Sequence, residues 1–174
     1  MLENESIKLR ALEPEDIDVF YAWENDTTLW ENGNMLAPWS RHSLRKYIEE
    51  SYQNIYEIKQ QRLMVVMKMT GETIGTIDVF NFEPYHERAE IGILIDKNHR
   101  NKGLAVQALN LIQEYTFVFL KMKQLYAHIP EKNQVSLRLF QRCGYQLVGK
   151  LQNWIKFEDS FQHVYLLQLI NTKA

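Results

Sequence analysis

"RAEIGILIDKNHRNKGLAVQAL", residues 88–109, runs from an apolar stretch into a helix-like pattern through a short basic turn that contains one glycine. Arg88 to Asp96 is nearly continuous in apolar residues, which reads as a strand buried on both faces. A helix is predicted from Gly103 to about Leu120. Leu104, Ala108, Leu111, Tyr115 and Val118 fall on one stripe, and Ala105, Leu109, Ile112 and Phe119 on the next. So wide an apolar face belongs on a sheet. Between strand and helix lies Arg100-Asn101-Lys102-Gly103-Leu104-Ala105. A helix N-terminus leaves amide N–H groups unpaired and carries about half a positive charge, so it attracts anions. Glycine lets the backbone approach a phosphate closely, and Ala105 keeps the same surface clear. Two nucleotide motifs are absent: neither G-x-x-x-x-G-K-[ST] nor G-x-G-x-x-G occurs here.

Working outward, Ser6 to Arg10 alternates as a short strand. Pro14 opens an acidic helix to about Asn25, with proline and carboxylates both suited to a first turn. Asp26 to Pro38 reads as irregular, and Ser40 is a cap for a helix to about Tyr52. "RLMVVMKM" and "ETIGTIDVF" flank Thr70-Gly71 as a hairpin. After the long helix come the strand "QLYAHI", a short helix from Asn133 to Arg142 stopped by Gly144, and the strands "YQLVGKL" and "HVYLLQLI". The order is β α α β β β α β α β β. The expected fold is α/β (α+β): one domain over residues 1–174, with a mixed, mostly antiparallel sheet of six to seven strands and about four helices on its faces.

Composition narrows the function. The 174 residues include 45% hydrophobic and 24% charged residues, ordinary for a globular chain. No apolar stretch approaches the roughly 18 residues of a membrane helix, and the opening MLENESIKLR has no apolar core of a signal peptide. The single cysteine, Cys143, has no internal disulfide partner, so the expected location is cytoplasmic. The net charge of −2 conceals a division. Residues 13–57 carry ten carboxylates against three cations; residues 97–150 carry nine cations against Glu114 and Glu131. Such a division suits an anionic ligand on one half and a cationic one on the other, and a nucleic-acid partner is not expected. No histidine, cysteine and carboxylate spacing fits a metal site.

With these motifs in order the chain resembles the GNAT family of N-acetyltransferases over nearly its whole length. "IKLRALEPEDID" is similar to the family's first strand and helix. "RAEIGILIDKNHRNKGLAVQAL" is similar to its strand, R/Q-x-x-G-x-G/A loop and helix, and "NQVSLRLFQRCGY" to its N-x-x-[AS]-x-x-x-[YF]-x-x-x-G-[FY] helix. The resemblance is greatest to the branch with spermidine/diamine and ribosomal-protein N-terminal acetyltransferases. It implies acetyl-CoA as cosubstrate, with its pyrophosphate on Arg100, Asn101, Lys102, Gly103, Leu104 and Ala105. It also implies a pantetheine arm paired with Ile93, Leu94 and Ile95, and a contact from Asn133.

Acetyl transfer needs a neutral amine. With a lysine-like pKa of ~10.4, about one acceptor in 2,500 is neutral at pH 7, a cost of roughly 4.6 kcal/mol. Glu90, on the strand that should carry the cosubstrate, is the expected base; the competing reading pairs it with Arg88 on the same strand face. A strand amide near Ile93 would polarise the acetyl carbonyl. Many relatives protonate the leaving thiolate with a tyrosine; this chain has Phe140 at that position, which has no proton to give and can instead line the pantetheine channel. Trp30, Glu31 and Trp39 are expected at the amine pocket, where aromatic faces and a carboxylate hold a cation. The resemblance, with the acidic segment 13–57 as a candidate acceptor pocket, implies a small polyamine or diamine as acceptor. A peptide N-terminus and a CoA-binding regulator with little catalysis are the alternatives, and a homodimer is expected by analogy.

Overall fold

The computed structural model describes residues 1–30, 37–157 and 159–172. Its strands are β1 (Ile7–Ala11), β2 (Gln61–Met67), β3 (Thr73–Glu83), β4 (Arg88–Ile95), β5 (Gln124–Pro130), β6 (Gln146–Phe157) and β7 (Ser160–Ile170). They form one sheet in the order β1-β2-β3-β4-β5-β7-β6. Every neighbouring pair is antiparallel except β4 and β5. The helices among the described residues are α1 (Ile17–Glu24), α2 (Thr27–Trp30), α3 (Arg41–Glu50), α4 (Ile55–Ile58), α5 (Leu104–Glu114) and α6 (Gln134–Arg142). The seven strands match the expected mixed sheet. The helix number exceeds expectation by two single turns: α2 lies in the segment expected to be irregular, and α4 follows the capping side chain of Asn54.

Local chemistry sets the boundaries. The Asp16 carboxylate accepts from the Glu13 N–H at 2.9 Å and fixes the Pro14–Asp16 turn ahead of α1. Ser40 Oγ caps α3 by accepting from Ser43 N–H at 3.0 Å. Gly71 sits at φ 74° in the turn after β2, a left-handed conformation that costs glycine little. The Asn133 side chain caps α6, accepting from Ser136 N–H at 3.1 Å.

The long helix departs from its expected stripe. After Glu114 the backbone takes a π-turn over Tyr115–Phe119. Thr116 Oγ1 donates to the Ile112 carbonyl at 2.8 Å inside that turn. The wider turn rotates the following side chains, so Val118 and Phe119 face solvent while Tyr115 stays buried.

Two cores sandwich the sheet. On one face Ala89, Ile91 and Ile95 of β4 and Leu125, Ala127 and Ile129 of β5 pack with Leu104, Ala108, Leu109 and Ile112 of α5. Leu109 is fully buried, and truncation to alanine there costs about 2–5 kcal/mol. On the other face Phe20, Trp23, Leu44 and Ile48 of α1 and α3 cover Met64 and Val66 of β2 and reach Leu94. β4 is thus covered on both sides, as its apolar run predicts. Among the described residues no helix is long and apolar enough to cross a membrane.

Candidate active site

β4 and β5 pair over only three positions, Arg88 with Gln124, Ala89 with Leu125 and Glu90 with Tyr126. Beyond them the strands diverge and leave a wedge whose broad end faces the N-terminus of α5. A cleft of about 1190 Å³ occupies this region. Ile93, Leu94, Ile95, Arg100, Asn101, Gly103, Leu104, Ala105 and Asn133 all line it, so residues distant in sequence meet as expected. Lys102 does not line it; its ammonium turns back to the Asn98 carbonyl at 2.9 Å.

The loop has the features of an anion cradle. Gly103 is the N-cap of α5 at φ 74°, and no side chain caps that helix. Its first backbone bond runs from Gln107 N–H to the Gly103 carbonyl at 3.3 Å, so the amides before it have no helical acceptor. A Cβ added to Gly103 would meet nothing within 4 Å, and the loop backbone therefore faces open space. Asn101 also takes a left-handed conformation, φ 60°. Arg100 is anchored by Nε donating to the Ile95 carbonyl at 3.0 Å. Arg138 and Arg142 of α6 line the opposite wall, and among the described residues neither has a carboxylate within ion-pair distance. These two arginines were not singled out from the sequence, although they lie four residues apart on one helix.

A second hollow, about 320 Å³, opens on the sheet face beyond α1 and α3; Arg88, Gln124, Tyr126, His128, Val148, Leu166 and Gln168 line it. Glu90 sits beneath its edge and is 7% exposed. His128 Nδ1 lies 2.8 Å from Glu90 Oε1. Asn81 Nδ2 donates to Glu90 Oε2 at 2.8 Å, brought there by a β-bulge at which Asn81 has φ 48°. The expected competitor is elsewhere: Arg88 pairs with Glu83 through bonds of 3.0 and 2.9 Å, not with Glu90. Burial, with the Glu90 and Glu83 charges beside it, pushes the Tyr126 phenol up. His128 and Asn81 were missed in the sequence because nothing local marks them.

The remaining expected residues divide. Trp30 lines the cleft and donates from Nε1 to the Glu24 carbonyl at 2.9 Å. Trp39 is not among the described residues lining the cleft or the second hollow: its backbone is bracketed by the Asn25 side chain at 2.8 and 3.1 Å, and its ring packs edge-on to Tyr47 in the second core. Glu31 lies outside the described residues. Phe140 is 3% exposed and packs edge-on against Tyr145, 4.9 Å between ring centres. It is absent from the cleft lining, where Leu139 stands instead. Cys143 is half-buried, and burial pushes its thiol up, which suits a packing role. No group of three or more histidine, cysteine or carboxylate side chains placed to hold a metal occurs among the described residues.

Comparison with known proteins bears on this geometry. The chain is 26% identical to the spermidine N(1)-acetyltransferase of Escherichia coli (strain K12), over 94% of this chain and 90% of the relative. Among solved structures, a Vibrio cholerae spermidine N-acetyltransferase in complex with CoA and spermine superposes with a TM-score of 0.87 at 23% identity, covering 98% of both chains. A dodecameric structure of the Vibrio cholerae enzyme in an intermediate state gives 0.79 at 23% identity, covering 96% of this chain and 95% of that one. The model of the acetyltransferase (GNAT) domain matches residues 6–146. That match covers most of the chain, and the chain belongs to the GNAT acetyltransferase family.

Proposed function

We propose that this acetyltransferase moves the acetyl group of acetyl-CoA to the primary amine of a small polyamine or diamine. The observation that carries the reading is the uncapped N-terminus of α5, held open by Gly103 at the broad end of the β4–β5 wedge. The amides of the Arg100–Ala105 loop would hold the diphosphate, with Arg138 and Arg142 facing the phosphates from across the cleft. Ile93, Leu94 and Ile95 offer the β5-facing edge of β4, which has no strand against it past Glu90. The pantetheine arm would run there, with Asn133 at its side. When bound, acetyl-CoA supplies an activated acetyl group and a thiolate leaving group.

The chain's own contribution is binding, orientation and proton transfer. The amine would enter by the hollow above Glu90, whose lining combines the apolar Val148 and Leu166 with Gln124, Gln168, Tyr126 and His128. Glu90 is the buried carboxylate at the narrow end, where the removal of a proton is needed. A thiol has a pKa near 8.5, so the thiolate leaves without a strong acid. Phe140 therefore need not donate. Among the described residues of the acidic segment, Glu24 is the carboxylate that lines the cleft, and it is held by Arg62 at 2.6 Å. Cytoplasmic residence and assembly into homo-oligomers belong to the proposal. β6 is an edge strand with Leu147, Val148 and Trp154 exposed, a surface that pairing would cover.

A thiol-release assay over a panel of amines tests the reading. Turnover with spermidine or a diamine is expected. Turnover with peptides alone would replace the acceptor by a peptide N-terminus, and acetyl-CoA binding without any turnover would replace the enzyme by a CoA-binding regulator.

A further inference from the structure

We propose that His128, not Glu90, takes the proton from the acceptor amine, and that Glu90 is the carboxylate that positions it. This rests on the acetyl-transfer reading above.

Glu90 is ill placed to meet an amine. It is 7% exposed, it lines neither the hollow nor the cleft, and each of its oxygens is already engaged, one with His128 and one with Asn81. His128 lies one strand away on the side of β5 that faces the hollow. Its side chain is 34% exposed and forms part of the lining. An ionised carboxylate has no hydrogen to give, so with Glu90 in that form the 2.8 Å contact puts the ring hydrogen on Nδ1 and leaves a lone pair on Nε2 of a side chain that lines the hollow. Tyr126 packs edge-on to the imidazole with ring centres 5.7 Å apart and limits its rotation. The charged or titratable groups around the ring are Glu90 and Arg88 on β4, Glu83 at the end of β3 bound to Arg88, and Tyr126 on β5. Among the described residues, β7 and β6 contribute Leu166, Gln168 and Val148 to the lining of the hollow. A carboxylate fixing the tautomer of an exposed imidazole is the arrangement that makes histidine an effective base.

The step balances. Nε2 takes one proton from the acceptor's ammonium and returns it to solvent. The freed nitrogen pair forms the C–N bond to the acetyl carbon, the C–S bond breaks with its pair on sulfur, and the second nitrogen proton, lost as the amide forms, passes through solvent to the thiolate.

The test compares H128Q, H128A and E90Q at saturating acetyl-CoA with spermidine, from pH 6 to 9. H128Q should lose about 100-fold or more in kcat, as the range for general-base catalysis starts there, and lose the acidic limb of the kcat/KM profile. E90Q should lose about tenfold and keep an acidic limb, because the imidazole is still present but less well held. Imidazole in solution should restore part of the H128A rate, which a purely structural role would not allow. Acetyl-CoA affinity, measured by calorimetry, should be unchanged in all three. If H128Q stays within threefold of the parent while E90Q collapses, Glu90 is the base and this assignment falls alone. If the parent protein turns over no amine at all, the acetyl-transfer reading falls and the assignment goes with it.

Discussion

The acidic segment 13–57 and the basic segment 97–150 look symmetrical in sequence, and the structure uses them in opposite ways. Among the described residues, four of the segment's ten carboxylates are taken up in ion pairs. Asp16 pairs with Arg10 at 2.6 Å, Glu24 with Arg62 at 2.6 Å, Asp18 with Arg41, and Glu50 with Lys46. Asp78 joins the Arg62 cluster at 2.6 Å, with the guanidinium carbon 5.0 Å from the Phe20 ring centre. The cations around the cleft, Arg100, Arg138 and Arg142, have no such carboxylates among the described residues. A run of charge therefore carries no functional meaning by itself. It gains one where the fold withholds the counter-charge.

The contrast can be broken from the paired side first. R62M leaves Glu24 and Asp78, both largely buried, without a cation. Stability should fall by about 3–5 kcal/mol, read as a lowered denaturation midpoint. On the open side, G103E puts bulk and negative charge into the empty space over the loop and forces a non-glycine residue to φ 74°. Acetyl-CoA affinity should drop more than about 100-fold, while circular dichroism shows the fold intact. An unchanged affinity removes the loop from the binding site.

Next, D16N weakens the acid side at one point. Burial alone would raise the Asp16 carboxyl, but the Arg10 guanidinium and the Glu13 amide hold it below the usual carboxylate range. Its contribution is thus present above about pH 4, the ordinary carboxylate pKa, and fades as pH falls through the lower folded value. The loss at pH 7 should be about 1.5–3 kcal/mol, and parent and variant melts should converge in strong acid. The double variant R138Q/R142Q should weaken acetyl-CoA about tenfold and flatten its salt dependence; equal salt slopes would show that these arginines face no phosphate. F140Y is the smallest change. A hydroxyl added at a buried ring that packs edge-on to Tyr145, outside the cleft lining, should lower the melting temperature slightly and leave kcat unchanged. A kcat raised about 2- to 20-fold at constant KM would instead put the ring at the departing thiolate.

These expectations also measure what the sequence made legible. The loop, Gly103, Ala105 and the α5 face lie within one short segment, so helix periodicity and turn chemistry sufficed to place them. Asn133 came through its own motif. The acid–imidazole pair did not, because Glu90 and His128 are 38 positions apart and meet only through the parallel register that sets Glu90 beside Tyr126. Asn81 reaches Glu90 only through a bulge, and alternation cannot foresee a bulge. Trp39 illustrates a related limit of local signals: aromatic residues in irregular segments serve cores and pockets alike, and the Asn25 bracket that packs it on the second core is tertiary. The π-turn after Glu114 is invisible to a period of 3.6 and turned Val118 and Phe119 outward.

The three-residue junction of β4 with β5 also bears on how the chain reaches this structure. β2 and β3 are joined by residues 68–72, and β6 and β7 by 158–159, whereas β4 and β5 are separated by residues 96–123. Bringing the ends of the 96–123 connection together costs roughly 1.5 kcal/mol more entropy than closing the 68–72 turn, and the reward is only three pairs of parallel ladder. Folding kinetics should therefore show the short-turn pairs, β2 with β3 and β4, and β6 with β7, zipping early and the β4–β5 junction closing late. The same junction is where native-state amide exchange should reveal the first opening. The weakest seam of the sheet is the one left open to ligand.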